Sequence, residues 1–127
     1  MLSANFIVSV RVFAQPIDMR KSFDTLSALV THGMGRDLLS GELFLFVGKT
    51  CRRAKVLYFD GTGLCLFAKR LEKGRFMAPW KSAGVPLVWS MTDLTLFLEG
   101  SSLVGKISLS PAPIKLVPLS ELFPNLR

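Results

Sequence analysis

The sequence predicts an α+β domain, a mainly antiparallel sheet of four to five strands carrying two helices. Three observations point to it. β-branched and aromatic residues alternate near the start of the chain and again through its middle. One stripe of apolar residues at helical spacing separates the first run from the rest. The middle runs follow one another across turns too short for a crossover, so neighbouring strands there run antiparallel. The predicted order is β-α-β-β-β-(β)-α over residues 1–100, a single domain, with an extended, proline-spaced tail over 101–127.

The first strand is read from Phe6 to Phe13. Ile7, Ser9, Arg11 and Phe13 share one side, and Phe6, Val8, Val10 and Val12 form a wholly apolar other side. Gln15-Pro16 closes it. Asp18 suits a helix N-cap, and Met19, Phe23, Leu26, Leu29 and Val30 recur at helical spacing beyond it. That stripe predicts an amphipathic helix of about 13 residues, stopped near Gly33 and Gly35. Leu43–Val47 reads as the second strand, and 48–53 as a basic loop. Ala54–Asp60 and Gly63–Arg70 are the next two, joined at Asp60-Gly61-Thr62-Gly63. Asp60-Gly61 and Gly61-Thr62 both suit the centre of a hairpin turn, which leaves the register open. These strands are apolar on both faces, so each face should be covered. Gly74–Pro79 reads as one more edge strand. Ser90 suits the cap of a second helix, with Met91, Leu94, Phe97 and Leu98 on its apolar side and Gly100 at its end. Pro111, Pro113, Pro118 and Pro124 forbid a long helix in the tail. It is read as extended chain lying on the domain or on a partner subunit, which makes a homo-oligomer one expectation.

A chain of 127 residues, half of them hydrophobic, is long enough to build a core without disulfides or metals. Cys51, Cys65 and the lone His32 are too few for a disulfide framework or a zinc site. No cofactor is expected. No apolar run approaches the roughly 18 residues of a membrane span. The opening Met1-Leu2-Ser3-Ala4-Asn5 lacks the basic start of a secretory signal. A cytoplasmic protein without membrane contact is the expectation.

Charge is distributed unevenly. The net charge is +7, and the stretch from Lys49 to Lys81 holds nine basic residues against two acids, Asp60 and Glu72, a difference equal to the whole net charge. Such a stripe is the electrostatic footprint of a polyanion partner.

Several blocks together carry a specific resemblance. They are Val10-Arg11-Val12-Phe13, Pro16, Asp18-Met19-Arg20-Lys21, Phe23-Asp24 and Leu26, then Leu43-Phe44-Leu45-Phe46. The longest runs from Lys55 through Tyr58-Phe59-Asp60-Gly61-Thr62-Gly63 to Phe67, followed by Lys69-Arg70-Leu71-Glu72-Lys73-Gly74-Arg75-Phe76. Over residues 8 to 100 the chain resembles the TnpB accessory proteins of insertion-sequence-66-type transposons, which are distinct from the RNA-guided nuclease sharing that name. The resemblance implies a role in transposition beside a separate transposase that carries the catalytic carboxylates. It also implies the transposon ends and that transposase as partners. Where the family's second helix is usually preceded by Leu-Thr, this chain has Trp89-Ser90.

The residues themselves argue against cutting chemistry. A transposase active site usually holds about three carboxylates around two metal ions. Here Asp18 reads as a cap, Asp60 as a turn residue and Asp93 as a first-turn helix residue, and no apolar strand presents a carboxylate that one from a second strand could join. No nucleophile–base set or phosphate-cradling glycine loop is present either. The chain is therefore expected not to be an enzyme.

Two basic surfaces remain. Arg20 and Lys21 fall in the predicted first helical turn, where each positive charge opposes the macrodipole by about 0.3–1 kcal/mol. A phosphate there would neutralise them, and so would pairing of Arg20 with Asp24. The second surface joins Lys49, Arg52 and Arg53 to Lys69, Arg70, Lys73 and Arg75. Tyr58, Phe76 and Trp80 are interleaved, and Trp80 is a candidate for stacking on bases. If about six of these cations meet phosphates, log affinity falls with log salt at a slope near −5. Three hypotheses follow: a DNA-binding accessory factor, an adaptor that touches only the transposase, and a small metal-dependent nuclease. Salt-sensitive DNA binding separates the first from the second. The third requires nicking that is lost in chelator and on mutation of Asp18 or Asp60.

Overall fold

Val10 and Val12 pair with Leu43 and Leu45 on adjacent strands of a mixed five-stranded sheet. The computed structural model of the chain describes residues 8–81 and 87–100. In it β1 spans Val10–Val12, α1 Phe23–Ala28, β2 Leu43–Val47, β3 Arg53–Phe59, β4 Leu64–Arg70, β5 Val88–Trp89 and α2 Met91–Leu98. The sheet order is β4-β3-β2-β1-β5. All neighbours are antiparallel except β1 and β2, which run parallel with Val10 opposite Leu43. A parallel pair needs a long crossover, and α1 lies within it.

Both faces of the sheet are covered, as the two-sided apolar strands predict. Val10, Val12, Leu43, Leu45, Val56 and Tyr58 pack on one side with Leu94, Phe97 and Leu98 of α2. Phe44, Phe46 and Leu57 pack on the other with Leu26 of α1, Val30 and Ile17. Every residue of β2 is buried, which explains its lack of polar alternation.

Ser90 caps α2 as predicted. Its hydroxyl accepts from the Asp93 N–H, and the Asp93 side chain accepts from the Ser90 N–H, a capping box. Trp89 before it is buried in β5. In the hairpin, Phe59 opposite Leu64 places Gly61 and Thr62 at its centre, resolving the register. Gly61 has φ +102°, and Asp60 Oδ1 accepts from Thr62 N, Thr62 Oγ1 and Gly63 N.

Three expectations need correction. Asp18 is not a helix cap: the N-cap is Ser22, and α1 starts at Phe23. A bridge from Ile17 to Gly48 keeps the chain extended there, and the Asp18 carboxylate is taken by the Arg20 N–H and guanidinium. The helical run stops at Gly33 as expected, but its last stretch is not α: it rolls into a π turn over Leu29–Gly33 in which Met34 N–H donates to the Leu29 carbonyl. Gly74–Pro79 is not a strand. Phe76 N–H donates instead to the Cys51 carbonyl, and Pro79–Lys81 form a 3₁₀ turn. The edge position beside β1 is taken by β5. The tail 101–127, Gly84-Val85-Pro86 and Phe6-Ile7 lie outside the described residues.

Candidate nucleic-acid interface

Three segments distant in sequence meet at one end of the sheet. The β2–β3 turn places Lys49 and Arg52 there, and the antiparallel return of β4 brings Arg70 opposite Arg53. The third segment, 16–20, is drawn alongside because Ile17 N–H donates to the Val47 carbonyl at 3.0 Å. Gly48 makes the approach sterically feasible: a Cβ on it would lie 2.7 Å from Met19 Cγ. Leu71 N–H donates to the Arg52 carbonyl at 2.8 Å and fixes the segment after β4 against the loop. Cys51 holds the loop's bend with φ +59°, a left-handed conformation that L residues adopt at a cost of about 1–2 kcal/mol.

The result is an open concavity of about 810 Å³ lined by Arg20, Lys49, Arg52, Arg53 and Arg70, with Asp18 and Glu72 as its acids. Ile17, Met19 and Leu71 supply aliphatic surface in it. A second depression of about 450 Å³ shares Met19, Arg53, Arg70 and Glu72 with the first and extends to Lys55. Both candidate surfaces of the sequence therefore contribute to one basic track.

Two of the arginines have internal partners. Asp18 accepts from two of the three Arg20 guanidinium nitrogens, at 3.0 Å from Nε and 2.6 Å from Nη2. Those bonds hold the Asp18 carboxyl well below the usual range. Arg20 thus pairs with Asp18, not Asp24, and it precedes the helix, so neither macrodipole argument applies. Arg70 Nε donates to Glu72 at 2.9 Å. Both pairs are solvent-exposed, where ion pairs contribute little and exchange readily. Among the described residues, Lys49, Arg52 and Arg53 have no carboxylate partner.

Other predicted residues do not line the larger concavity. Strand alternation puts Lys69 on the opposite face from Arg70. It lines the smaller depression but not the larger, and its ammonium donates at 2.8 Å to the Leu98 carbonyl at the end of α2, where positive charge suits the dipole. Lys21 offers its carbonyl to Lys55 Nζ at 2.7 Å and does not line the concavity. Lys73 and Arg75 are exposed on the connection after β4, outside the lining. Trp80 packs against the core beneath α2, and Phe76 stacks on Phe97 with centroids 4.8 Å apart. Tyr58 is buried on the same side, and burial pushes its hydroxyl's pKa up.

Sequence reasoning missed the acids' part. Glu42 binds Arg11 at 2.7 Å and Arg36 at 3.0 Å; burial pushes its carboxyl up, but the two guanidiniums outweigh it and lower it overall. Cys51 and Cys65 are both free thiols. Among the described residues no three His, Cys, Asp or Glu side chains converge, and no helix is long and apolar enough to cross a membrane.

A family model described as "IS66 Orf2 like protein" matches residues 8–106. The chain belongs to the IS66 Orf2-like family. Its match runs past Gly100, where the resemblance read from the sequence ends. This IS66 Orf2-like protein is 39% identical over 91 residues to "Uncharacterized protein y4jC" of Sinorhizobium fredii (strain NBRC 101917 / NGR234), covering 72% of this chain and 77% of that one. It is 38% identical over 101 residues to "Uncharacterized protein y4hO" of the same organism, covering 79% and 86%. No solved structure matches the chain significantly. Membership makes it a transposition-associated accessory protein of the TnpB type.

Proposed function

We propose that this protein is a non-catalytic accessory factor of transposition that binds DNA phosphates through the basic track and assists a separate transposase. One observation carries the reading. Arg20, Lys49, Arg52, Arg53 and Arg70 come from three separate segments yet line one open concavity. A surface whose charges were merely solvated would have no reason to gather them. Exposed arginines suit phosphate oxygens because the planar guanidinium donates two parallel hydrogen bonds. Such contacts position a protein on DNA without reading its sequence.

The carboxylates support a non-cutting role, since most already have structural partners. Asp18 holds Arg20, Glu42 holds Arg11 and Arg36, Asp60 closes a turn and Asp93 caps α2. The test is a titration of the purified protein against the element's own terminal repeats at two salt concentrations, with and without the transposase. Salt-sensitive binding by the protein alone supports the proposal. Association with the transposase and none with DNA would make it an adaptor.

A further inference from the structure

We infer that the basic track, if it binds DNA as proposed above, takes the sugar-phosphate backbone of duplex DNA and not the bases of an unpaired strand. The first ground is shape. The two depressions adjoin along Met19, Arg53, Arg70 and Glu72, so positive charge continues from Arg20 through the Arg53–Arg70 pair to Lys55. A small anion would occupy one depression; a polymer backbone runs through both.

The second ground is the character of the walls. Proteins that hold single strands without sequence preference combine a basic groove with aromatic faces on which successive bases stack. Here the apolar lining is aliphatic, from Ile17, Met19 and Leu71, and neither depression is lined by an aromatic ring. The aromatic residues that the sequence interleaves with these cations pack on the core. Phe76 is 3% exposed and Tyr58 1%, and Trp80 packs on the core beneath α2. Phe23, 42% exposed on α1, lies outside the lining. Cations without stacking platforms reward high phosphate density, which is greatest in a duplex.

The experiment measures anisotropy of a labelled short duplex of arbitrary sequence and of each separated strand, with the full chain at one salt concentration. The duplex is expected to bind about tenfold tighter than either strand. Equal or tighter binding of the strands overturns the inference and leaves the DNA-binding reading intact. Binding of neither overturns both. The two tryptophans give a second readout. Their emission should be unchanged on adding single strand, and Phe23→Ala should leave duplex affinity unchanged. Quenching by single strand that the duplex does not reproduce contradicts the inference.

Discussion

Arg53 lies directly opposite Arg70 across the β3–β4 ladder, two guanidinium side chains on one face of the sheet. Like charges so placed are mutually destabilising by about 0.2–1 kcal/mol relative to a neutral pair. A bound phosphate would turn that repulsion into shared attraction. Arg53→Thr should therefore leave urea stability unchanged or raise it within that range, while weakening DNA binding several-fold. Equal losses of stability and binding would mean that Arg53 serves the fold.

Asp18 occupies the guanidinium that a phosphate would need. Asp18→Asn frees Arg20 and removes a negative charge from the track, so DNA binding should tighten by several-fold in an anisotropy titration. In an Arg20→Ala background the same substitution should yield less, because only the general charge change remains. If Asp18→Asn instead weakens binding, the pair acts as a fixed scaffold for Arg20.

Gly48 touches Met19 so closely that a Cβ would fall 2.7 Å from Met19 Cγ. Gly48→Ala should destabilise the protein by about 1–3 kcal/mol, the usual effect of overpacking. Much of that loss should disappear in a Met19→Ala background, and a double-mutant cycle by urea denaturation measures the coupling. Additive losses would show that the contact is not what requires glycine here.

These pairs also show where sequence reading stops. The strands β2 to β4 and the second helix were legible because short apolar runs, the Asp60–Gly63 turn and the Ser90 cap each state a local preference that the fold keeps. The start of α1 was not. Asp18 has an N-cap's chemistry, yet Ile17 pairing with Gly48 overrides it, and no local signal announces a partner 31 positions away (48 less 17). Gly74–Pro79 has strand-like composition, yet its Phe76 N–H goes to the Cys51 carbonyl and not to the open edge of β4. The site was half legible. Alternation alone separates Lys69 from Arg70, whereas the convergence of Arg20 on the β2–β3 loop depends on the parallel arrangement of β1 and β2.

The Asp60 turn gives a pH signature. Backbone N–H bonds from Thr62 and Gly63 lower its carboxyl from 3.8 to about 2. Because the folded state favours the ionised form, this contribution is fully present above pH 3.8 and fades as pH falls through about 2. Asp60→Asn should thus be less stable than the parent near neutrality, with the gap in unfolding midpoint closing across that window. A gap that stays constant with pH would show that the charge contributes nothing.

The most direct measurement compares two multiple variants on one duplex across a salt series. In the first, Arg20, Arg52, Arg53 and Arg70 become Ala; in the second, Lys21, Lys69, Lys73 and Arg75 do, predicted from sequence but outside the larger concavity. The five cations of the larger concavity by themselves set a slope of log affinity against log salt near −4.5. The account predicts that the first variant keeps its fold by circular dichroism and loses nearly all binding and slope, while the second keeps most of both. Equal losses in the two folded variants would mean that total charge, and not its convergence at one end of the sheet, governs DNA contact.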